Sequence, residues 1–216
     1  MIFQFNWIPA FIFFAISLMD ILFTNRGFKK GRIFTKPLII PSLLLYYSLN
    51  STTLNLFIIL ALILSTMGDV FLLFRRSKMF LILGLIAFLL AHIFYTVLFL
   101  STVTFSLIPN LFYLIIIPYI VFGVVVFKNL KLKEKSIKVG VFLYILVIIS
   151  MSFSSLLRFY SVPFMTFILP FSGSILFIIS DSMLSMRYFG EKRIRGEFVT
   201  VTYVLAQFLI VSGFVY

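Results

Sequence analysis

Apolar side chains fill eight successive stretches of this chain, at about 5–23, 37–52, 54–74, 79–100, 107–127, 139–156, 161–186 and 198–215, each closed by charge or by Ser, Asn and Pro. Most are long enough to cross the ~30 Å hydrocarbon core of a bilayer as helices rising ~1.5 Å per residue. The second is the exception. It contains Pro37 and Pro41 and reaches only ~24 Å, so it requires a thinner bilayer or extension through residues 50–53. The first stretch has no basic residue before it and no small-residue cleavage pattern after it, and is expected to be a retained transmembrane helix. No linker, repeat or low-complexity tract divides the chain, so a single transmembrane domain over residues 1–216 is expected.

Composition sharpens the class. Of 216 residues, 62% are hydrophobic, 30 are Phe and only 11% are charged, whereas a soluble domain of this size needs a far more polar surface. The expected fold class is all-α, a polytopic bundle of eight transmembrane helices. A net charge of +12 raises the question of nucleic acid, but the basic residues fall in short clusters between apolar stretches, with no nucleic-acid motif beside them. Anionic lipid headgroups are the expected counter-charge. With the N-terminus outside, the inside loops hold 17 basic residues, clustered at 26–36, 75–78, 128–138 and 187–195, and Arg158 alone lies outside. The positive-inside rule then puts both termini on the non-cytoplasmic side, with a bacterial inner (plasma) membrane as the expected location. No Cys is present, which removes disulfide and thiolate chemistry.

Six acidic residues remain to be placed. Glu134, Glu191 and Glu197 lie in inside loops, where pairing with nearby Lys or Arg accounts for them. Asp20, Asp69 and Asp181 lie within spans, each six positions before a basic residue (Arg26, Arg75 and Arg187), hence ~9 Å along the helix from the cytoplasmic end. Intramembrane carboxylates are expensive and normally face a bundle interior or a wet cavity. Asp20 has little polar company and reads as a structural contact. Asp69 follows Ser65, Thr66 and Gly68, while Asp181 lies between Ser180 and Ser182, with Ser174 and Ser185 on its helical face. Both read as functional positions on otherwise apolar helices.

Other polar side chains share helical faces. His92, Tyr95 and Thr96 form one set, near or slightly outside the membrane midplane; Thr200, Tyr203 and Gln207 form another. For both, hydrogen bonding between helices and contact with substrate stand as alternative readings. Asn50, Asn55, Asn110 and Tyr144 are expected nearer the outer side or in packing interfaces. One His and no Cys cannot make a three-His or His-Cys zinc site, although Asp69, Asp181, His92 and a water form a conceivable metal set. HExxH, GxSxG, GxGxxG and Walker A patterns are absent. Ser180 or Ser182 as a nucleophile would need His92 as base, from another helix and an apparently deeper position. Two carboxylates at one depth are the strongest constellation, and a pair divided into acid and base suits hydrolysis without a metal.

The stretches that carry these residues, TKPLIIPSLLLY at 35–46, STMGDVFLL at 65–73, GLIAFLLAHIFYTVLF at 84–99, FIISDSMLSMRYF at 177–189 and TYVLAQFLI at 202–210, resemble the YhhN-like lysoplasmalogenase family of eight-span membrane proteins. The resemblance implies hydrolysis of the vinyl ether of a lysoplasmalogen to a fatty aldehyde and glycerophosphoethanolamine or glycerophosphocholine, with no cofactor. The positions matching the family pattern are Lys36, Asp69, His92, Tyr95, Asp181, Ser182, Tyr203 and Gln207. Asp20 matches no motif, and residues 105–170 match mainly through the spacing of Tyr144 and Met151. On this reading Asp69 and Asp181 are the catalytic acid and base, in unassigned order. Lys36 and Arg187 hold the substrate phosphate near the cytoplasmic leaflet, or serve only as positive-inside anchors. Another lysophospholipid or ether lipid is an alternative substrate, and a proton-coupled transporter or a non-catalytic structural protein are alternative functions. The partners expected are the lipid substrate and membrane lipids; the sequence fixes no oligomeric state.

Overall fold

A computed structural model describes residues 6–74, 77–132, 134–190 and 194–215. Among them are eight α-helices: α1 (Ile8–Asn25), α2 (Lys29–Asn50), α3 (Leu56–Leu73), α4 (Lys78–Leu100), α5 (Ile116–Lys128), α6 (Lys135–Leu157), α7 (Phe164–Phe189) and α8 (Gly196–Ser212). Six segments, those of α1, α3, α4, α5, α6 and α7, are long and apolar enough to cross a membrane. The protein is thus an all-α, polytopic membrane-helix bundle. Arg75, Arg76, Lys133, Glu191, Lys192 and Arg193, counted above in the loops, lie outside the described residues.

The second helix corrects the sequence reading. It starts at Lys29, eight residues before the apolar stretch, and runs 22 residues, ~33 Å at the usual rise. Its first turns carry Lys29, Lys30, Arg32 and Lys36, which hide the helix from a hydropathy count. Long basic side chains make this possible, because their stems lie along apolar surface while their charged ends reach polar surroundings. Pro37 and Pro41 sit inside the helix, where each removes one backbone donor; membrane helices tolerate this when neighbours supply donors to the freed carbonyls. Helix α5 is also shorter than its stretch, because Phe105–Leu107 and Asn110–Ile115 wind as 3₁₀ turns before it.

Packing closes a ring. Neighbours run α1, α2, α3, α4, α6, α7, α8 and back to α1, while α5 packs on α6 outside the ring. The interior is filled by side chains such as Phe13, Leu43, Leu62, Phe99, Met151 and Phe177, all fully buried. The outer surface is apolar too: Phe11 and Phe34 are each 75% exposed, as a lipid-facing surface requires. Small residues set the closest approaches. A Cβ on Gly173 would lie 2.7 Å from the Ala206 carbonyl oxygen of α8, and one on Gly68 2.7 Å from the Phe88 ring of α4. Such contacts let membrane helices gain van der Waals energy without a hydrophobic drive between them.

At one end of the ring, Arg158, expected on the outside, is fully buried. Its guanidinium is buried over the rings of Phe214 and Phe99, at 4.5 and 5.6 Å from their centroids, and its Nε donates to Thr102 Oγ1 at 2.8 Å. Cation–π contact and that bond hold the charge; Nη1 and Nη2 meet no hydrogen-bond partner among the described residues.

Candidate active site

The three aspartates within the helices have different partners, Asp20 and Asp69 buried and Asp181 half-buried. Asp20 on α1 accepts from Thr35 Oγ1 at 2.8 Å and pairs with Arg32 Nε at 3.4 Å, both on α2. It ties the first two helices together, in line with the structural reading of this residue. Glu134 pairs with Lys78 at 2.6 Å and Glu197 with Arg195, so these two acids are accounted for by loop and helix-end pairing.

Asp69 lies near the end of α3, and its two oxygens are divided between two helices. Lys36 Nζ of α2 stands 3.1 Å from Oδ1, and the Tyr203 hydroxyl of α8 donates to Oδ2 at 3.0 Å. Lys36 also sits 4.9 Å from the centre of the Tyr203 ring. The three side chains form one unit in which the ammonium neutralises the carboxylate and the ring holds both from the side.

Asp181 on α7 has a second set. The Tyr144 hydroxyl of α6 donates to its Oδ2, and His92 Nε2 of α4 is 3.6 Å from the same atom, just beyond hydrogen-bond reach. His92 Nδ1 lies 2.5 Å from the Phe88 carbonyl oxygen. A carbonyl can only accept, so Nδ1 carries a proton and Nε2 is the nitrogen turned to Asp181. Phe177 stands between the two aspartate groups, edge-on to His92 at 4.5 Å and to Tyr203 at 5.6 Å.

Two expectations change here. His92 seemed deeper than Asp181 when depth was counted along each helix, yet the two side chains meet. Side chains lean toward the N-terminus of their own helix. The end of α4 joins the start of α7 through the Thr104 N–H bond to Ser161 Oγ, so the helices run oppositely and their side chains lean toward each other. Tyr144, expected at the outer side or in a packing interface, instead bonds to Asp181. Its signal in the sequence was faint, one tyrosine in an apolar stretch that also holds Ser150, Ser152, Ser154 and Ser155, matched only by its spacing to Met151.

Asp69 and Asp181 line one cavity of about 580 Å³, together with Lys29, Arg32, Lys36, Arg187 and Tyr203. Four cations and two carboxylates leave its wall positive overall, suited to a phosphate-bearing group. Ser182 lies elsewhere, on a second cavity of about 410 Å³ that is almost wholly apolar and also reaches Asp181. Tyr95 and Gln207 line neither. The Tyr95 hydroxyl donates to Gln207 Oε1 at 2.6 Å, and Gln207 Nε2 donates to Ser65 Oγ at 3.0 Å, so this trio joins α4, α8 and α3 behind the cavity. Ser174 bonds to Ser152 Oγ at 2.9 Å and lines neither cavity, whereas Ser180, bonded to the Val199 carbonyl at 3.1 Å, lines the cationic cavity and Ser185 the apolar one. No three His, Asp or Glu side chains come together at metal-ligand spacing among the described residues.

The family model described as the YhhN family matches residues 31–214. No curated protein and no solved structure matches the chain.

Proposed function

The chain belongs to the YhhN family, and we propose on that basis that it hydrolyses the vinyl ether of a lysoplasmalogen, with Asp69 and Asp181 as its catalytic pair. Family membership supports a lysoplasmalogenase-like, lipid-processing role. The observation that carries the finer reading is that both carboxylates line one positively charged cavity.

The environments of the two acids suggest how they divide the work. Asp69, against the Lys36 ammonium, is the standing carboxylate. Asp181, held by a hydroxyl and facing an imidazole where the two cavities meet, is the proton donor. Its proton goes to the vinyl carbon not bonded to oxygen, leaving an oxocarbenium ion at the other carbon. Asp69 stabilises that cation and takes a proton from the water that adds to it. The resulting hemiacetal breaks its bond to the glycerol oxygen, which takes up a proton, and the aldehyde departs. One water is consumed, and the Asp181 proton is restored from Asp69 or through His92. Lys36 and Arg187 hold the headgroup phosphate, Tyr203 and Tyr144 orient the carboxylates, and Tyr95 and Gln207 fix the helices that carry them. Ser182 lies along the path of the hydrocarbon.

The orientation that fits this reading has eight spans, both termini on the non-cytoplasmic side, and the cationic cavity at the cytoplasmic leaflet of a bacterial inner membrane. Defined 1-alkenyl and 1-acyl lysophospholipids, incubated with purified protein, test the reaction when aldehyde and free fatty acid are measured separately. Aldehyde is expected from the alkenyl lipid alone. D69N and D181N are expected to lose about 100-fold or more of that release while unfolding at a temperature near that of the parent protein. Unchanged turnover in both variants excludes the assignment.

A further inference from the structure

The apolar cavity has no part in the acid–base chemistry, yet it touches the same carboxylate. Asp181, Leu184 and Tyr188 line both cavities, one on either side of α7. From this junction the two walls diverge in character. The first side carries Lys29, Arg32, Lys36 and Arg187; the second, with Lys78 among its lining, is built mainly from side chains such as Leu85, Leu89, Phe122, Val126, Ile148 and Ile178. Its rim, at Ile82, Ile86, Phe122 and Leu143, is 41–49% exposed on the outer surface of the bundle, so it opens sideways, where lipid lies.

We infer that this second cavity, formed by α4, α5, α6 and α7, holds the hydrocarbon chain of a single-chain lipid whose phosphate occupies the cationic cavity. The inference rests on the hydrolase reading above and adds to it the place of the chain and the source of chain selectivity. A polar cavity continuous with an apolar one matches an amphiphile split at the bond between headgroup and chain. In a 1-alkenyl lysolipid the reactive double bond sits at that division, and Asp181 sits at the division between the cavities. The cavity wall then reads chain length through contact with successive methylenes. On α6, Tyr144 and Ile148 are one turn apart on this wall, and Leu89 of α4 belongs to the same wall. The chain therefore runs from Asp181 past Tyr144 toward Ile148 and Leu89, away from the cationic end.

Two measurements test this. In the first, Ile148→Trp and Leu89→Trp fill the far end of the cavity, and aldehyde release is followed for 1-alkenyl lysophosphatidylcholines of octyl and octadecyl length. Octadecyl turnover is expected to fall by about tenfold or more in each variant, while octyl turnover stays within about threefold of the parent protein, which also reports that the variants are folded. Equal losses for both lengths, or no loss for either, overturn the placement of the chain. In the second, the unmodified protein is photolabelled with a 1-O-alkyl lysophosphatidylcholine carrying a diazirine at its methyl end, which cannot be hydrolysed at a vinyl ether. Adducts competed by unlabelled lipid are expected in residues 116–157, and competed adducts confined to α1, α2 or α8 overturn the inference. Absence of aldehyde from every alkenyl lipid sinks the hydrolase reading, while the labelling pattern still decides where the chain binds.

Discussion

At the scale of single residues, the two aspartates differ by what their neighbours can donate. Lys36 gives Asp69 a charge, whereas Tyr144 gives Asp181 a neutral hydroxyl, and the Phe88 carbonyl fixes which His92 nitrogen turns toward it. Tyr144 is a positioning residue in this scheme, since it acts on substrate through Asp181. Its replacement by Phe keeps the ring, which stands edge-on to His92 at 5.5 Å, and removes the hydroxyl alone. Aldehyde release by Tyr144→Phe is expected to fall about 10- to 100-fold in kcat with little change in KM, because the headgroup and chain contacts stay in place. A change in KM alone counts against the role. The two aspartates were legible in the sequence because a carboxylate in an apolar stretch is costly and therefore conspicuous. Tyr144 was not, because tyrosine is at home in such stretches and the sequence holds ten of them.

Among the elements, the sequence marks helix ends by charge, and this works where charges lie outside the helix. It fails for α2, whose first two turns are basic yet helical. The consequence matters for the site, since only a helix that has already begun at Lys29 carries Arg32 to Asp20 and Lys36 to Asp69. Close packing was harder still to read, because a glycine in a membrane helix has several uses. Gly173 shows the distinction. Ala favours a helix over Gly by about 1 kcal/mol, so propensity alone makes Gly173→Ala stabilising. The new methyl, however, would meet the Ala206 carbonyl at 2.7 Å and the Ile210 amide nitrogen at 2.9 Å, both backbone atoms of α8, which cannot move without shifting the helix. Overpacking of this kind costs about 1–3 kcal/mol. Gly173→Ala is therefore expected to lower the unfolding midpoint in a detergent titration, and a raised midpoint contradicts the close approach of α7 and α8. At Gly68 the obstacle is the Phe88 ring, a side chain rather than helix backbone, so the same exchange is expected to be milder.

For the whole molecule, orientation decides which leaflet feeds the site. The cationic cavity draws on the beginnings of α2, α4 and α8 and the ends of α3 and α7, so it lies at one end of the ring. That end is the one where the basic clusters gather, and basic loops stay on the cytoplasmic side because moving them across the membrane is opposed. The opposite end holds Arg158, buried beneath Phe99 and Phe214, and the asymmetry of basic residues between the two ends favours a cytoplasmic placement of the cavity. This placement is open to a direct test because the chain has no Cys, so single introduced thiols report without background. Thr52, between α2 and α3, and Asn129, between α5 and α6, are both exposed. In intact cells, a membrane-impermeant maleimide is expected to label Thr52→Cys and to spare Asn129→Cys until the membrane is opened. The reverse pattern would turn the cationic cavity to the outer leaflet, and the substrate would then have to arrive from outside the cell.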